Sequence, residues 1–326
     1  MRPAKKQFIQ ELKPGLPVDD IFYLTRRDIK ERRDGQPFLT FTFQDRSGTI
    51  AGIMWDGVQD ALKCLESSGF YHVQGKFGDY QGKPQLTVTA IYPAALEEVR
   101  RDDFVTASRY DRDEMLARVR EYAAAVKNPH LRQLLDAFFT DAGFVERFAN
   151  APGGAAVHHA CIGGLLEHTL FMCRMAETAG TIHEEINADL LMTGVILHDI
   201  GKVREYTYDF ALDHTWDGRL LGHIVMGYEM VREKIAGISG FPEELARMLL
   251  HIILAHHGHM EFGSPKTPKF AEAFIVYFLD NMDARVAMFR DATNRNKGVK
   301  WTDYHHYLET NVYIPDPEPE PPDGSA

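Results

Sequence analysis

The chain has no apolar run approaching the ~18 residues that a membrane-spanning helix needs, so neither a membrane span nor a membrane partner is expected. Cysteine is scarce. Cys64, Cys161 and Cys173 are odd in number and lack metal-type spacing, which excludes a disulfide framework and a cysteine metal site. They read as reduced thiols of a cytoplasmic protein. The opening residues MRPAKKQFIQ lack the apolar core of a secretion signal. There is no surplus of positive charge. Lys and Arg number 36 against 47 Asp and Glu, a net charge of −11 that argues against a simple nucleic-acid coat protein. The imbalance is local, because residues 1–100 carry 14 basic and 13 acidic side chains. No internal repeat is visible.

What is present falls into two textures. From residue 18 to about residue 93 the pattern is β. In Phe38–Phe43, Leu39, Phe41 and Phe43 share one face; Asp45–Gly48 makes a turn, and Thr49–Trp55 resumes as a strand. A short helix over 57–67, a strand over Phe70–Phe77, hairpin chemistry at Gly78–Gly82 and a strand over Gln85–Ile91 follow. With Val18–Arg32 first, these make about five strands and one inserted helix, which fits a small all-β barrel of the OB type. Beyond Pro93 the spacing is helical, over 111–126, 129–149, 160–180, 187–200, 219–236, 242–257 and 267–290. The expected organisation is a barrel over 1–100, an all-α domain over 101–314 and a disordered, acidic, Pro-rich tail over 315–326.

Eleven of the 15 histidines lie between positions 158 and 259. The most informative series is His168, His198-Asp199, His223, His256-His257 and Asp280, each on or at the end of an apolar helical segment. One buried histidine is more often a hydrogen-bonded core residue than a ligand. Seven ionisable groups on successive apolar helices are costly to bury unless a shared cation is their partner. Imidazole and carboxylate without thiolate favours borderline or hard divalent metals, with Mn, Fe, Co or Zn all compatible, and metal-activated water chemistry. Helical bundles build metal sites in this way.

The strings His158–His168, His198-Asp-Ile-Gly-Lys202, Gly218–His223, His256-His-Gly-His-Met-Glu-Phe-Gly-Ser-Pro265 and Leu279–Ala284 resemble the YhaM-type 3′→5′ exoribonucleases. That family pairs an N-terminal OB domain with a C-terminal domain of the HD superfamily of metal-dependent phosphohydrolases. The resemblance spans nearly the whole chain and implies two divalent cations, Mn²⁺ the first choice. One would be held by His168, His198, Asp199 and Asp280, with Asp199 bridging to a second held by His223, His256 and His257. The segment after His257 lacks a Gly-Tyr-Pro signature, which disfavours a cyclic-dinucleotide role. Position 164 is Gly where some relatives of that type carry a Glu for a third metal.

The implied catalytic set is Asp199, with Lys202 touching a phosphate oxygen and His158 and His159 orienting the scissile phosphate or protonating the leaving oxygen. The competing readings are a solvated helix-end lysine and packing histidines. Asp283 is the substitute if Asp280 is not a ligand. The barrel would feed single-stranded RNA, or single-stranded DNA, to this site through basic Lys30, Arg32, Arg33, Arg46, Lys76 and Lys83 and through stacking on Trp55, Phe77 and Tyr80. Arg219 is a further phosphate contact or an exposed helix-end arginine. The alternatives are a phosphodiesterase or nucleotidase of small nucleotides with the barrel as an oligomerisation module, and a nucleic-acid-binding protein whose second domain senses a ligand. A homo-oligomer is compatible with each.

Overall fold

The computed structural model describes residues 5–66, 68–80, 82–154, 159–208, 212–296 and 298–316. It divides into two compact units, Met1–Arg109 with Tyr206–Thr215, and Tyr110–Glu205 with Trp216–Ala326. Residues 317–326 of the expected tail lie outside the described residues. No helix among the described residues is long and apolar enough to cross a membrane.

The first unit is an OB-type barrel. Strands β1 (Pro17–Glu31), β2 (Pro37–Asp45), β3 (Gly48–Met54), β4 (Gly69–Tyr80) and β5 (Lys83–Pro93) close in the order β1-β2-β3-β5-β4. All pairs are antiparallel except β3 with β5. Alternation along β2 turns Leu39, Phe41 and Phe43 inward, as expected of a period-two face. Helix α1 (Val58–Cys64) joins β3 to β4, and Val58 and Ala61, with Leu65 just beyond it, complete the barrel core.

The second unit is helical. It comprises α2 (Arg112–Ala125), α3 (Pro129–Phe139), α4 (Ala142–Asn150), α5 (Gly164–Ile182), α6 (Ala188–Leu197), α7 (Lys202–Glu205), α8 (Trp216–Ala236), α9 (Glu243–Ala255) and α10 (Ala271–Arg295). The single helix expected over 129–149 is two. Asp141 accepts the amide hydrogen of Phe144 and so starts α4, which ends the continuity that apolar spacing alone suggests. Two short two-stranded sheets interrupt the helical pattern along the chain, β6 (Tyr206–Thr207) with β7 (Asp213–His214), which group with the first unit, and β8 (Trp301–His305) with β9 (Thr310–Tyr313) in the second. Each strand is five residues or fewer, too short to show a period. The apolar faces of α5, α6, α9 and α10, among them Leu165, Leu166, Leu191, Val195, Ile252, Ile253 and Val276, are buried, so polar side chains at the ends of these helices share a dry interior.

Candidate metal centre

Helices α6 and α9 stop in the same way. Each ends on an apolar last turn, and each is followed by a histidine still in helical conformation whose ring folds back on that turn. His198 Nδ1 lies 2.7 Å from the carbonyl of Val195, and His256 Nδ1 lies 2.7 Å from that of Ile253. A carbonyl can only accept, so Nδ1 carries the proton and Nε2 presents a bare lone pair. The same logic fixes His257, whose Nδ1 lies 2.8 Å from the Phe262 carbonyl. His168 and His223 are anchored on carboxylates instead. His168 Nδ1 lies 2.6 Å from Asp283 Oδ2, and His223 Nδ1 lies 3.0 Å from Glu205 Oε2.

Two backbone features bring these rings together. At Gly222, φ is 74°, a left-handed turn inside α8 that re-aims the chain just before His223. Glu205 Oε1 then accepts the His223 amide hydrogen at 3.1 Å, and Oε2 of the same carboxylate lies beside the ring. At Gly201 a Cβ would sit 2.0 Å from the His223 carbonyl oxygen. Only glycine permits that approach of the turn after Asp199 to α8.

The result is three adjoining sets of potential ligand atoms, each within 4.8 Å of one another: His168, His198, Asp199 and Asp280; Asp199, His223, His256 and His257; and the smaller set His159, His168 and Asp283. Asp199 serves the first two. Its Oδ1 is 3.4 Å from His223 Nε2 and 3.4 Å from His256 Nε2, while its Oδ2 is 3.3 Å from His198 Nε2 and 3.7 Å from His168 Nε2. His168 Nε2 also faces His198 Nε2 at 3.3 Å and Asp280 Oδ1 at 3.4 Å. Asp199 Oδ1, His223 Nε2 and His256 Nε2 are buried without a hydrogen-bond partner. All three are acceptors. Buried acceptors facing one another with no donor between them are unfavourable on their own, and a divalent cation resolves the conflict. The donor set therefore fits a metal.

The electrostatics agree. Burial raises the cost of a charged Asp199, but Lys202 and His198 outweigh it and hold the carboxyl well below its ordinary range. Burial likewise opposes ionisation of Asp280 and Asp283, and their histidine partners keep both below the usual carboxylate range. Burial disfavours charge on His168, yet hydrogen bonds to Asp280 and Asp283 push it up to about 10. His256 goes the other way, pulled down to about 3 by burial and the neighbouring His257. His257 is lowered by burial first. An acid-rich half and a histidine-rich half thus sit side by side.

The remaining expected residues are scattered. Lys202, expected at a phosphate oxygen, is buried with its ammonium 2.6 Å from Asp199 Oδ2. His159 does not open onto solvent; its side chain is 1 % exposed and its Nε2 is 2.9 Å from Asp283 Oδ2. His158 lies outside the described residues. Arg219 is exposed on the first turns of α8. In the barrel unit, Trp55 stacks on Phe38 at 4.7 Å with the Arg32 guanidinium 5.1 Å from the indole; Arg32 also bonds Asp56 and the Trp55 carbonyl. Arg46 lies 4.3 Å from the Phe8 ring and donates to the Asp102 carbonyl. Phe77, expected as a stacking surface, packs against the barrel core. Lys30, Arg33, Lys76, Tyr80 and Lys83 are exposed. Glu205 was not among the residues expected at the site, and Asp283, expected only as a substitute for Asp280, lies against His168. Glu205 stands one helical turn beyond His198-Asp-Ile-Gly-Lys202, which was the available signal.

The comparisons with known proteins follow this geometry. The sequence family described as HD domain matches residues 165–285, and the one described as OB-fold nucleic acid binding domain matches residues 24–94. Fold and site therefore define a hydrolytic enzyme of the metal-dependent HD class, carrying an OB-fold nucleic-acid-binding domain. The chain is similar to the 3′-5′ exoribonucleases YhaM of Bacillus pumilus (33 % identity; 86 % of this chain and 88 % of that one), Bacillus licheniformis (34 %; 90 % and 93 %) and Bacillus subtilis (34 %; 86 % and 88 %). It belongs to the YhaM 3′-5′ exoribonuclease family.

Proposed function

We propose that this chain is a metal-dependent phosphodiester hydrolase that removes nucleotides from the 3′ end of single-stranded RNA. The observation that carries this reading is the group of buried, donorless acceptors around Asp199 Oδ1 in a family of exoribonucleases. Two divalent ions, Mn²⁺ the first choice, would be held by His168, His198, Asp199 and Asp280 and by Asp199, His223, His256 and His257. When bound, such a pair supplies Lewis acidity toward a phosphoryl oxygen and lowers the pKa of the attacking water.

The chain's own residues do the rest. Asp199 presents one oxygen to each half and keeps the halves at a fixed separation. Asp283 and Glu205 orient His168 and His223, and the carbonyls of Val195, Ile253 and Phe262 orient His198, His256 and His257. Lys202 offsets charge on Asp199. Because His198 and His256 are fully buried, substrate approaches from the side of His223 and Asp280, whose side chains are each 14 % exposed. The Phe38–Trp55–Arg32 stack offers an aromatic face and a cation to a base and its phosphate, and the exposed Lys30, Arg33, Arg46, Lys76, Tyr80 and Lys83 add to that contact. Single-stranded DNA shares these features and is an expected weaker substrate. The three free cysteines suit a reducing cytoplasm. An apolar stripe on α10, Phe274, Phe278, Met282, Val286 and Phe289, is exposed and would be covered in a homo-oligomer.

Incubation with Mn²⁺ and 5′-labelled single-stranded RNA should yield a ladder shortening one nucleotide at a time. Turnover of cyclic or mononucleotides with RNA left intact would transfer the assignment to a small-nucleotide phosphodiesterase.

A further inference from the structure

Asp283 Oδ2 receives two rings at once. His168 Nδ1 is 2.6 Å away and His159 Nε2 is 2.9 Å away. On the far side of His159, its Nδ1 lies 3.6 Å from Glu167 Oε1. Glu167, His159 and His168 are all buried. Three elements therefore meet in a line: the loop before α5, α5 itself, and α10. The line ends at His168 Nε2, which belongs to the acid-rich half of the cluster.

We propose that His159 is a positioning residue, the outer member of a buried His159–Asp283–His168 relay that fixes the aim and basicity of His168 toward a cation. The inference rests on the reading of the cluster as a metal centre.

Three observations support it. His159 holds a backbone φ of 51°, a left-handed conformation that a non-glycine residue adopts only when its surroundings dictate it. Its carbonyl is pinned by the amides of Gly153 and Cys161 at 2.9 and 2.8 Å. This backbone directs the imidazole inward, where its side chain is 1 % exposed and its Nε2 meets Asp283. Finally, Asp283 lies three residues, about one helical turn, beyond Asp280 on α10, and His159 crosses from another element to lock that second carboxylate in place. Asp283 left alone could swing toward the cation half and compete with Asp280; tied to two N–H donors, it stays an orienting group.

The relay also separates the two halves of the centre. His223, its counterpart in the other half, is backed by Glu205 instead. Loss of His159 should therefore weaken one cation site and spare the other. Hydrogen-bonded partners of metal-ligating histidines typically matter by 10–100-fold in affinity.

The test uses the full-length protein and Mn²⁺ titrated calorimetrically, with metal content after dialysis measured in parallel. Wild type, His159→Phe and His159→Gln are compared, the last keeping an N–H donor. The expected result is two sites in the wild type, with one weakened roughly tenfold or more in His159→Phe and recovered in part in His159→Gln. Exonuclease kcat in His159→Phe should return toward the wild-type value at saturating Mn²⁺. An unchanged Mn²⁺ isotherm overturns the relay, and an activity defect that persists at saturation would instead put His159 on the substrate. If His159→Phe does not fold, the His159→Gln isotherm decides. Should the wild type itself take up no Mn²⁺, it is the metal-centre reading that fails, which keeps the two failures distinguishable.

Discussion

Lys202 holds its ammonium 2.6 Å from Asp199 Oδ2, and both side chains are almost wholly buried. The lysine and a cation on the same carboxylate stand in competition. Lys202→Met should destabilise the metal-free protein by about 3–5 kcal/mol, the usual cost of leaving a buried charge unpaired. The same variant should bind Mn²⁺ more tightly, on the order of tenfold, because one repelling charge is gone. Thermal unfolding with and without EDTA, together with a metal titration, checks both signs.

Asp199 is shared by two ligand sets, whereas His256 belongs to one. Asp199→Ala should empty both halves and lower exonuclease activity by roughly 10³-fold or more, about 4 kcal/mol of lost barrier reduction. His256→Ala should empty only the histidine-rich half. Inductively coupled plasma measurement of bound metal per chain distinguishes the two losses.

In the metal-free protein, pH acts on His168 and His256 in opposite senses. His168 is raised from 6.5 to about 10, so the stability it contributes is fully present below pH 6.5 and is lost as pH rises toward 10. His256 is lowered from 6.5 to about 3; its contribution is present above pH 6.5 and is lost as pH falls toward 3. The lowered carboxyls of Asp199, Asp280 and Asp283 add to the loss on the acid side. The EDTA-treated protein should show a stability maximum near neutral pH, and Mn²⁺ should flatten the alkaline slope. Tm across this range in both states is the measurement.

Gly222 turns the chain with φ at 74° just ahead of His223. Gly222→Ala should cost about 1–2 kcal/mol from the left-handed backbone alone. It should also displace the His223 ring from Glu205, weakening one Mn²⁺ site while the other keeps its affinity.

Trp55 stacks on Phe38 and is 41 % exposed. Trp55→Ala should weaken single-stranded RNA binding by about 1–3 kcal/mol. Hydrolysis of bis(p-nitrophenyl) phosphate, which carries no nucleobase or single strand for the barrel to bind, should not change. Fluorescence anisotropy and a colorimetric assay report the two quantities.

Much of this architecture could be read before any coordinate. The alternation of Leu39, Phe41 and Phe43 identified a barrel strand, and the histidines at the ends of apolar stretches announced α6 and α9. The break at Thr140–Asp141 was hidden because α3 and α4 are both apolar on one side, and only the cap at Asp141 separates them. Phe77 follows the buried Tyr71 and Val73 at period two along β4, so its packing on the barrel core was legible in the alternation. The places of Glu205 beside His223 and of Asp283 beside His168 were not legible for a different reason. Their partners are ring nitrogens on other elements, and no spacing rule in one chain encodes a bond between residue 205 and residue 223.

Helices α6 and α9 both terminate at the cluster, through His198 and His256. The end of each helix carries the equivalent of about half a negative charge from its aligned peptide dipoles. The backbone thus contributes roughly one electron's worth of negative potential where the ligands converge, independent of any side chain. An RNA phosphate entering such a field uncompensated would be repelled. The order of events is set by the scaffold: ions must load ahead of the polyanion, and a chelator should slow the capture of RNA as well as its cleavage.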